Sequence, residues 1–301
     1  MIPQLESLLV EHFGGERRNY SFIKLHNGLA YSNPKVSFIC FRGDNPVSFL
    51  KTVRHPTDAH VIETAFSCLH QATMWIRQSR TPLIIPEPLW ITRVGDVPVS
   101  AESVAPGCAL SYMDQQSIER IFNALNIWLS YGKDASHVPL NPRDLFDSWK
   151  DGLRLSHPQN QQRVEAIFLK VLEHAGNDIQ LPAIPQHGDF TQSNILVDGD
   201  LLYLIDCDLF GRIQLPLFDV LTLVQHLEKK PSKVYTLYKT HILESLQILQ
   251  LKPNSIPLLV CLTSIGTEWR KNLSYKKPIS LESEKLFVSY LETAVKLAYS
   301  I

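Results

Sequence analysis

The chain of 301 residues lacks the cysteine spacings that would build a disulfide framework or a structural zinc site. Cys40, Cys68, Cys108, Cys207 and Cys261 are odd in number and include no C-x-x-C pair. Reduced, mostly buried thiols fit a cytosolic, cytoplasmic protein. An excess of either charge is missing too. Lys and Arg total 29 against 30 Asp and Glu, so there is no long-range pull on nucleic acid or on an anionic membrane, and neither is expected as a partner. The N-terminus carries Glu6 and Glu11 without a basic stretch and does not read as a signal peptide. The longest apolar run, Ile256 to Ile265, is too short to span a bilayer. No internal repeat or low-complexity tract stands out, and His55, His60, His70 and His226 have no metal-ligand spacing.

What is present changes character once, near residue 105. Before it, short apolar runs alternate with turn residues. KVSFICF (Lys35 to Phe41) and VSFLKTV (Val47 to Val53) read as two strands around a Gly/Asn/Pro turn. A helix opened by Thr57 or Asp58 follows, with Ile62, Phe66, Leu69 and Ile76 at helical spacing. PLWITRV and VPVSAESV then read as a further hairpin. Beyond residue 110 the stripes Ile118/Ile121/Leu125/Trp128, Val164/Phe168/Val171 and Phe287/Leu291/Ala294 predict core-facing amphipathic helices. The segment Ala105–Gly107 marks the junction, giving a small sheet with one helix over residues 1–104 and a larger helical part over 105–301.

The helical part is interrupted at PQHGDFTQSNILVDGDLLYLIDCDLFG, Pro185 to Gly211. Its runs Ile195–Val197 and Leu201–Ile205 flank Asp198-Gly199-Asp200, a hairpin signal. A hairpin brings its open ends together, so Asn194 before it and Asp206 after it face the same end, with Asp189 in the entering loop and Asp208 just beyond. Magnesium prefers such oxygens, one or two carboxylates plus substrate phosphates, and a carboxylate beside a metal-bound phosphate can accept the proton of an attacking hydroxyl. Each residue alone would read as a cap or turn residue. The combination, H-x-D-x-x-x-x-N followed by an Asp after the next strand, points to chemistry.

HGDFTQSN followed by LIDCD resembles the aminoglycoside phosphotransferase and choline kinase family, a branch of the protein-kinase-like fold. The resemblance implies an α+β bilobal fold, ATP and Mg2+ as cofactors, and a small-molecule hydroxyl substrate of aminoglycoside, choline or sugar type. It implies Asp189 as catalytic base with His187 supporting the loop, Asn194 and Asp206 as magnesium ligands with Asp208 as a helper, and Asp219 steadying the loop. The order of Lys51 on a strand and Glu63 on the following helix matches the kinase pair in which the Lys meets ATP phosphates. The similarity of Ile85 to Leu110 to the last strands and hinge of the first lobe implies purine contacts from the backbone of Glu102, Ser103 and Val104. The phosphate-covering loop, His26 to Lys35, has one glycine instead of G-x-G-x-x-G, and its phosphate contacts are placed at Asn27 to Ala30 or Ser32. The resemblance covers roughly residues 20 to 225.

Other readings compete. A protein kinase would carry HRD, DFG and A-P-E where this chain has HGD, IDCD and nothing comparable. A catalytically silent nucleotide-binding protein of the same fold, or a metal-dependent phosphoesterase ligated by His187, Asp189, Asp206 and Asp208, would use the same segment. Trp269 and Tyr275, near Glu268, either cage a cation or pack in the core.

Overall fold

The structure, a computed structural model, describes residues 2–25, 34–109, 115–136, 138–153, 155–227, 237–274 and 280–301. The chain forms two compact units, the first made of residues 1–77, 83–108 and 196–209, the second of 78–82, 109–195 and 210–301. A single cut after residue 104 therefore misses one feature. The outer part of the late hairpin returns to the first unit, because β11 (Leu201–Leu204) pairs in parallel with β4 (Leu83–Ile84).

In the first unit, α1 (Ile2–Phe13) precedes β1 (Tyr20–Leu25), β2 (Lys35–Arg42) and β3 (Asn45–Val53); α2 (Ala59–Ser79) follows, then β5 (Pro88–Val94) and β6 (Val97–Glu102). The strands form an antiparallel sheet in the order β1-β2-β3-β6-β5. Alternation along β3 assigns its two faces. Leu50 points into a core with Leu5 and Leu9 of α1, Cys40, Val99 and Ala101. Its neighbour Lys51 points the other way. Lys51 lies opposite Ser37 of β2 and Ser100 of β6, so Lys35 and Glu102, two residues along those strands, share its face. Full burial of each aliphatic side chain beneath α1 contributes about 1.5–3 kcal/mol, which makes the register hard to slip.

The second unit contains α3 (Gln115–Ala135), α4 (Pro142–Lys150), α5 (Pro158–Ala175), α6 (Phe218–Leu227), α7 (Lys239–Ile248), α8 (Ile256–Ser274) and α9 (Leu281–Ala298). Helix α8 is apolar nearly all round and correspondingly buried, from Leu258 through Leu262 to Ile265. Gly266 permits close packing there, since a Cβ would lie 2.8 Å from Trp149 and 2.9 Å from Phe218. Trp269 stacks on Trp149 with ring centroids 5.7 Å apart, so its place is packing; Tyr275 lies outside the described residues. Among the described residues no single helix is long and apolar enough to cross a membrane.

One buried carboxylate ties α9 to α5. Glu284 accepts hydrogen bonds from the Ser156 amide (2.7 Å) and hydroxyl (2.6 Å), the His157 amide (3.3 Å) and the Asn160 side chain (3.0 Å). It thus satisfies amides that open α5, where His157 offers no side-chain cap. Burial alone would raise the Glu284 carboxyl, but these bonds outweigh it and hold it at about 2. A depressed carboxyl stabilises the fold fully above its unfolded value of about 4.3, and that contribution is lost as pH falls toward the folded value. Glu284→Gln should therefore lower unfolding free energy by about 2–3 kcal/mol near neutrality. In urea titrations the gap between wild type and variant should close as the pH approaches 2; a gap independent of pH would contradict this account.

Candidate active site

The chemistry-bearing residues fall in both units. In the first, Lys51 Nζ lies 2.9 Å from Asp208 Oδ1, 3.2 Å from Glu102 Oε2 and 3.8 Å from Asp206 Oδ1. The Lys51 side chain is only 7% exposed. Burial pushes its ammonium down, yet the carboxylates of Asp208, Glu102 and Asp206 outweigh this and raise it well above the ordinary lysine range. Lys35 donates to the other oxygen of Asp208. Burial would raise the Asp208 carboxyl, and Lys51 and Lys35 together pull it below its usual range.

These contacts revise two expectations. Glu63 does not meet Lys51: it is half exposed and pairs with Arg93 at 2.8 Å. Its place beside Lys51 is taken by the Glu102 side chain, which the strand register brings to the same face. Asp208 is not placed as a metal ligand, because both its oxygens are engaged by ammonium groups, which leaves Asp206 the more accessible carboxylate, 45% exposed. Asp206 holds φ 61°, a left-handed conformation that Asp tolerates at a cost of about 1–3 kcal/mol and that is concentrated at functional sites.

Glu102, Ser103 and Val104 also differ from one another. The Ser103 amide donates to the Glu87 carbonyl (2.9 Å), and its hydroxyl accepts from the Glu87 amide (2.8 Å). Glu102 lies inside β6, between β3 and β5. Val104 lies outside the ladder, and with Ser103, Ile84, Ile85 and Tyr203 it borders a cavity of about 420 Å³. The loop positions Asn27 to Ala30 and Ser32 lie outside the described residues.

In the second unit the loop before β10 (Ile195–Asp198) is held from below by Asp219 of α6. This buried carboxylate accepts the amides of His187 (2.6 Å) and Gly188 (3.0 Å), and its own amide donates to the Gln186 side chain (3.1 Å). Burial pushes the Asp219 carboxyl up, against the pull of His187 and the two amides. Gly188, at φ 81°, takes a conformation that would strain a side-chain-bearing residue. His187 is fully buried, edge-on to Phe190, and its Nδ1 accepts the Asp189 amide at 3.3 Å. Asn194 closes the loop by donating Nδ2 to the Asp189 carbonyl (2.9 Å), so the atom left to meet a cation is its oxygen. Arg270 of α8 donates one Nη1 hydrogen to the Gly188 carbonyl (2.9 Å) and another to Asp189 Oδ1.

The hairpin, Asp189, His187 and Asn194 were legible from local spacing. Arg270 and the Glu102 side chain were not. The strand register carries the only sequence-level hint of Glu102, and Arg270 has none, since it arrives from a helix far along the chain. Among the described residues no three His, Cys, Asp or Glu side chains gather into a metal cage. A magnesium ion completed by phosphate oxygens and water needs no such cage.

Residues 132–238, which include this loop, the hairpin and α6, match the model of the phosphotransferase enzyme family, APH. No curated protein sequence matches the chain. Solved structures do. A thermostable mutant of aminoglycoside phosphotransferase APH(4)-Ia, in ternary complex with AMP-PNP and hygromycin B, is 13% identical with TM-score 0.64, over 98% of each chain. The GDP and kanamycin complex of an APH(2") enzyme is 11% identical with TM-score 0.60, over 99% of this chain and 98% of that one. A microcompartment-associated aminopropanol kinase is 16% identical with TM-score 0.54, over 99% and 96%. At these identities the likeness speaks for the fold. Residues 132–238 are thus similar in sequence to the phosphotransferase enzyme family, and the course of the chain from end to end is that of the kinase-like fold.

Proposed function

We propose that the protein transfers the γ-phosphoryl group of ATP, with magnesium, to a hydroxyl of a small molecule. The observation that carries this reading is the loop Gln186–Asn194, in which Asp219 takes two consecutive amides and Asn194 closes onto the Asp189 carbonyl, leaving the Asp189 side chain projecting from an immobilised backbone. The nucleotide part draws support from solved relatives of the same fold that hold AMP-PNP with Ca2+ or GDP in their complexes.

In this reading Lys51 meets the nucleotide phosphates. Its carboxylate partners keep it charged, and Glu102 is the partner that stays with it when Asp208 yields to a phosphate. The Val104 backbone meets the purine edge. For a divalent cation Asp206 would offer an accessible carboxylate, and Asn194 the amide oxygen its hydrogen bond leaves available. The chemistry supplied by bound magnesium is neutralisation of charge on the phosphate oxygens. Asp189 keeps one oxygen on Arg270, and the other accepts the proton of the substrate hydroxyl. Positioning and electrostatics, rather than a covalent intermediate, provide the acceleration.

Asp189→Asn and Asp206→Asn should each lower the rate of acceptor-dependent ADP release by about 10³-fold or more with an unchanged circular dichroism spectrum; wild-type turnover in either variant would remove the mechanism. Glu63→Gln should leave nucleotide affinity unaltered, whereas Glu102→Gln should weaken it by about tenfold, because Lys51 loses the carboxylate that aims it. Calorimetric titration with MgADP checks both, and the reverse ranking would restore the helix residue as the partner of Lys51.

A further inference from the structure

We infer that the acceptor of this phosphotransferase carries an anionic group close to the reacting hydroxyl, and that Arg270 is the residue that holds it. The inference rests on the proposed kinase reading and adds the charge class of the substrate. A general base must lie within hydrogen-bond reach of the hydroxyl it deprotonates, so any group bonded to Asp189 sits beside the acceptor. Arg270 is that group, through Nη1 to Asp189 Oδ1 and to the Gly188 carbonyl. A guanidinium has five donors in a planar fork. Both Nη1 hydrogens are used, and neither Nε nor Nη2 has a partner among the described residues. The side chain is 12% exposed, so it is held by its surroundings while the fork keeps an open edge. Such an edge matches the paired oxygens of a carboxylate or phosphate.

The surrounding charges agree. A polycationic acceptor would need carboxylates to replace its hydration, and two candidates are already matched, Asp189 by Arg270 and Glu268 by Lys271 at 3.2 Å. The guanidinium beside Asp189 would itself meet an amine-bearing acceptor as repulsion.

The test is ADP release from MgATP by the full chain, offered hydroxy acids and sugar phosphates in one arm, glucose as neutral reference, and choline and kanamycin in a cationic arm. At least one anionic acceptor should be used with a kcat/KM about tenfold or more above glucose, and the cations should not be used. Arg270→Gln should raise the KM for that acceptor about tenfold while the KM for MgATP stays put, and Arg270→Lys should recover part of the loss. A merely structural Arg270 would lower kcat and leave the acceptor KM unchanged, which overturns the inference. Preferred use of choline or kanamycin, or MgATP binding with no anionic acceptor turned over, overturns it as well. Loss of any MgATP-induced rise in wild-type melting temperature would instead remove the kinase reading beneath it.

Discussion

An ammonium ion cannot be kept in a protein interior without oxygens around it, and that constraint organises the first unit. Lys51 is buried on the face of the sheet opposite the α1 core, and its partners come from separate stretches: Glu102 from β6, Asp206 and Asp208 from the chain leaving the late hairpin. Satisfying this one charge requires β3 and β6 in register and the 196–209 segment seated in the first unit. Removing the buried carboxylate of Asp208, which faces both Lys51 and Lys35, would leave a buried charge short of partners, which is strongly destabilising in general. The cluster is thus a folding constraint, and in the proposed function it also keeps an ammonium ready for phosphate.

The Gln186–Asn194 loop solves a different problem, how to fix a backbone with little regular structure of its own. Buried amides need acceptors, and Asp219 supplies two oxygens for two consecutive N–H groups. Gln186 locks the α6 end to the loop, and Asn194 locks its exit. Asp189 is then limited to side-chain rotation, which Arg270 restricts further. Precise placement of a base is worth more to a phosphoryl transfer than its intrinsic strength, because there is little covalent chemistry for the protein to perform.

How much of this could be read beforehand depends on distance along the chain. The hairpin, with Asp189, His187, Asn194 and Asp206 around it, is compact in sequence, and its spacing alone singles it out. The strands and α2 follow from alternation and helical period within short windows. Glu63 misled because a kinase-like order of Lys and Glu was present, while the choice between Glu63 and Glu102 is made by pairing between β3 and β6, which no local pattern encodes. The same holds for Asp208, whose capture by Lys35 depends on two adjacent strands presenting their lysines to one face. A cut at residue 105 placed the whole hairpin with the helices, because a two-residue parallel pairing to β4 leaves almost no trace in sequence. Arg270 illustrates the limit, an unremarkable basic residue until α8 brings it to Asp189.

The proposed function turns on Lys51, beside Asp206 in the first unit, meeting a magnesium nucleotide. Calorimetric titration of the protein with AMP-PNP, with and without magnesium, tests it most directly. The account predicts binding that depends on magnesium and disappears in Lys51→Met. Absence of binding with magnesium present, or equal binding by Lys51→Met, would contradict it.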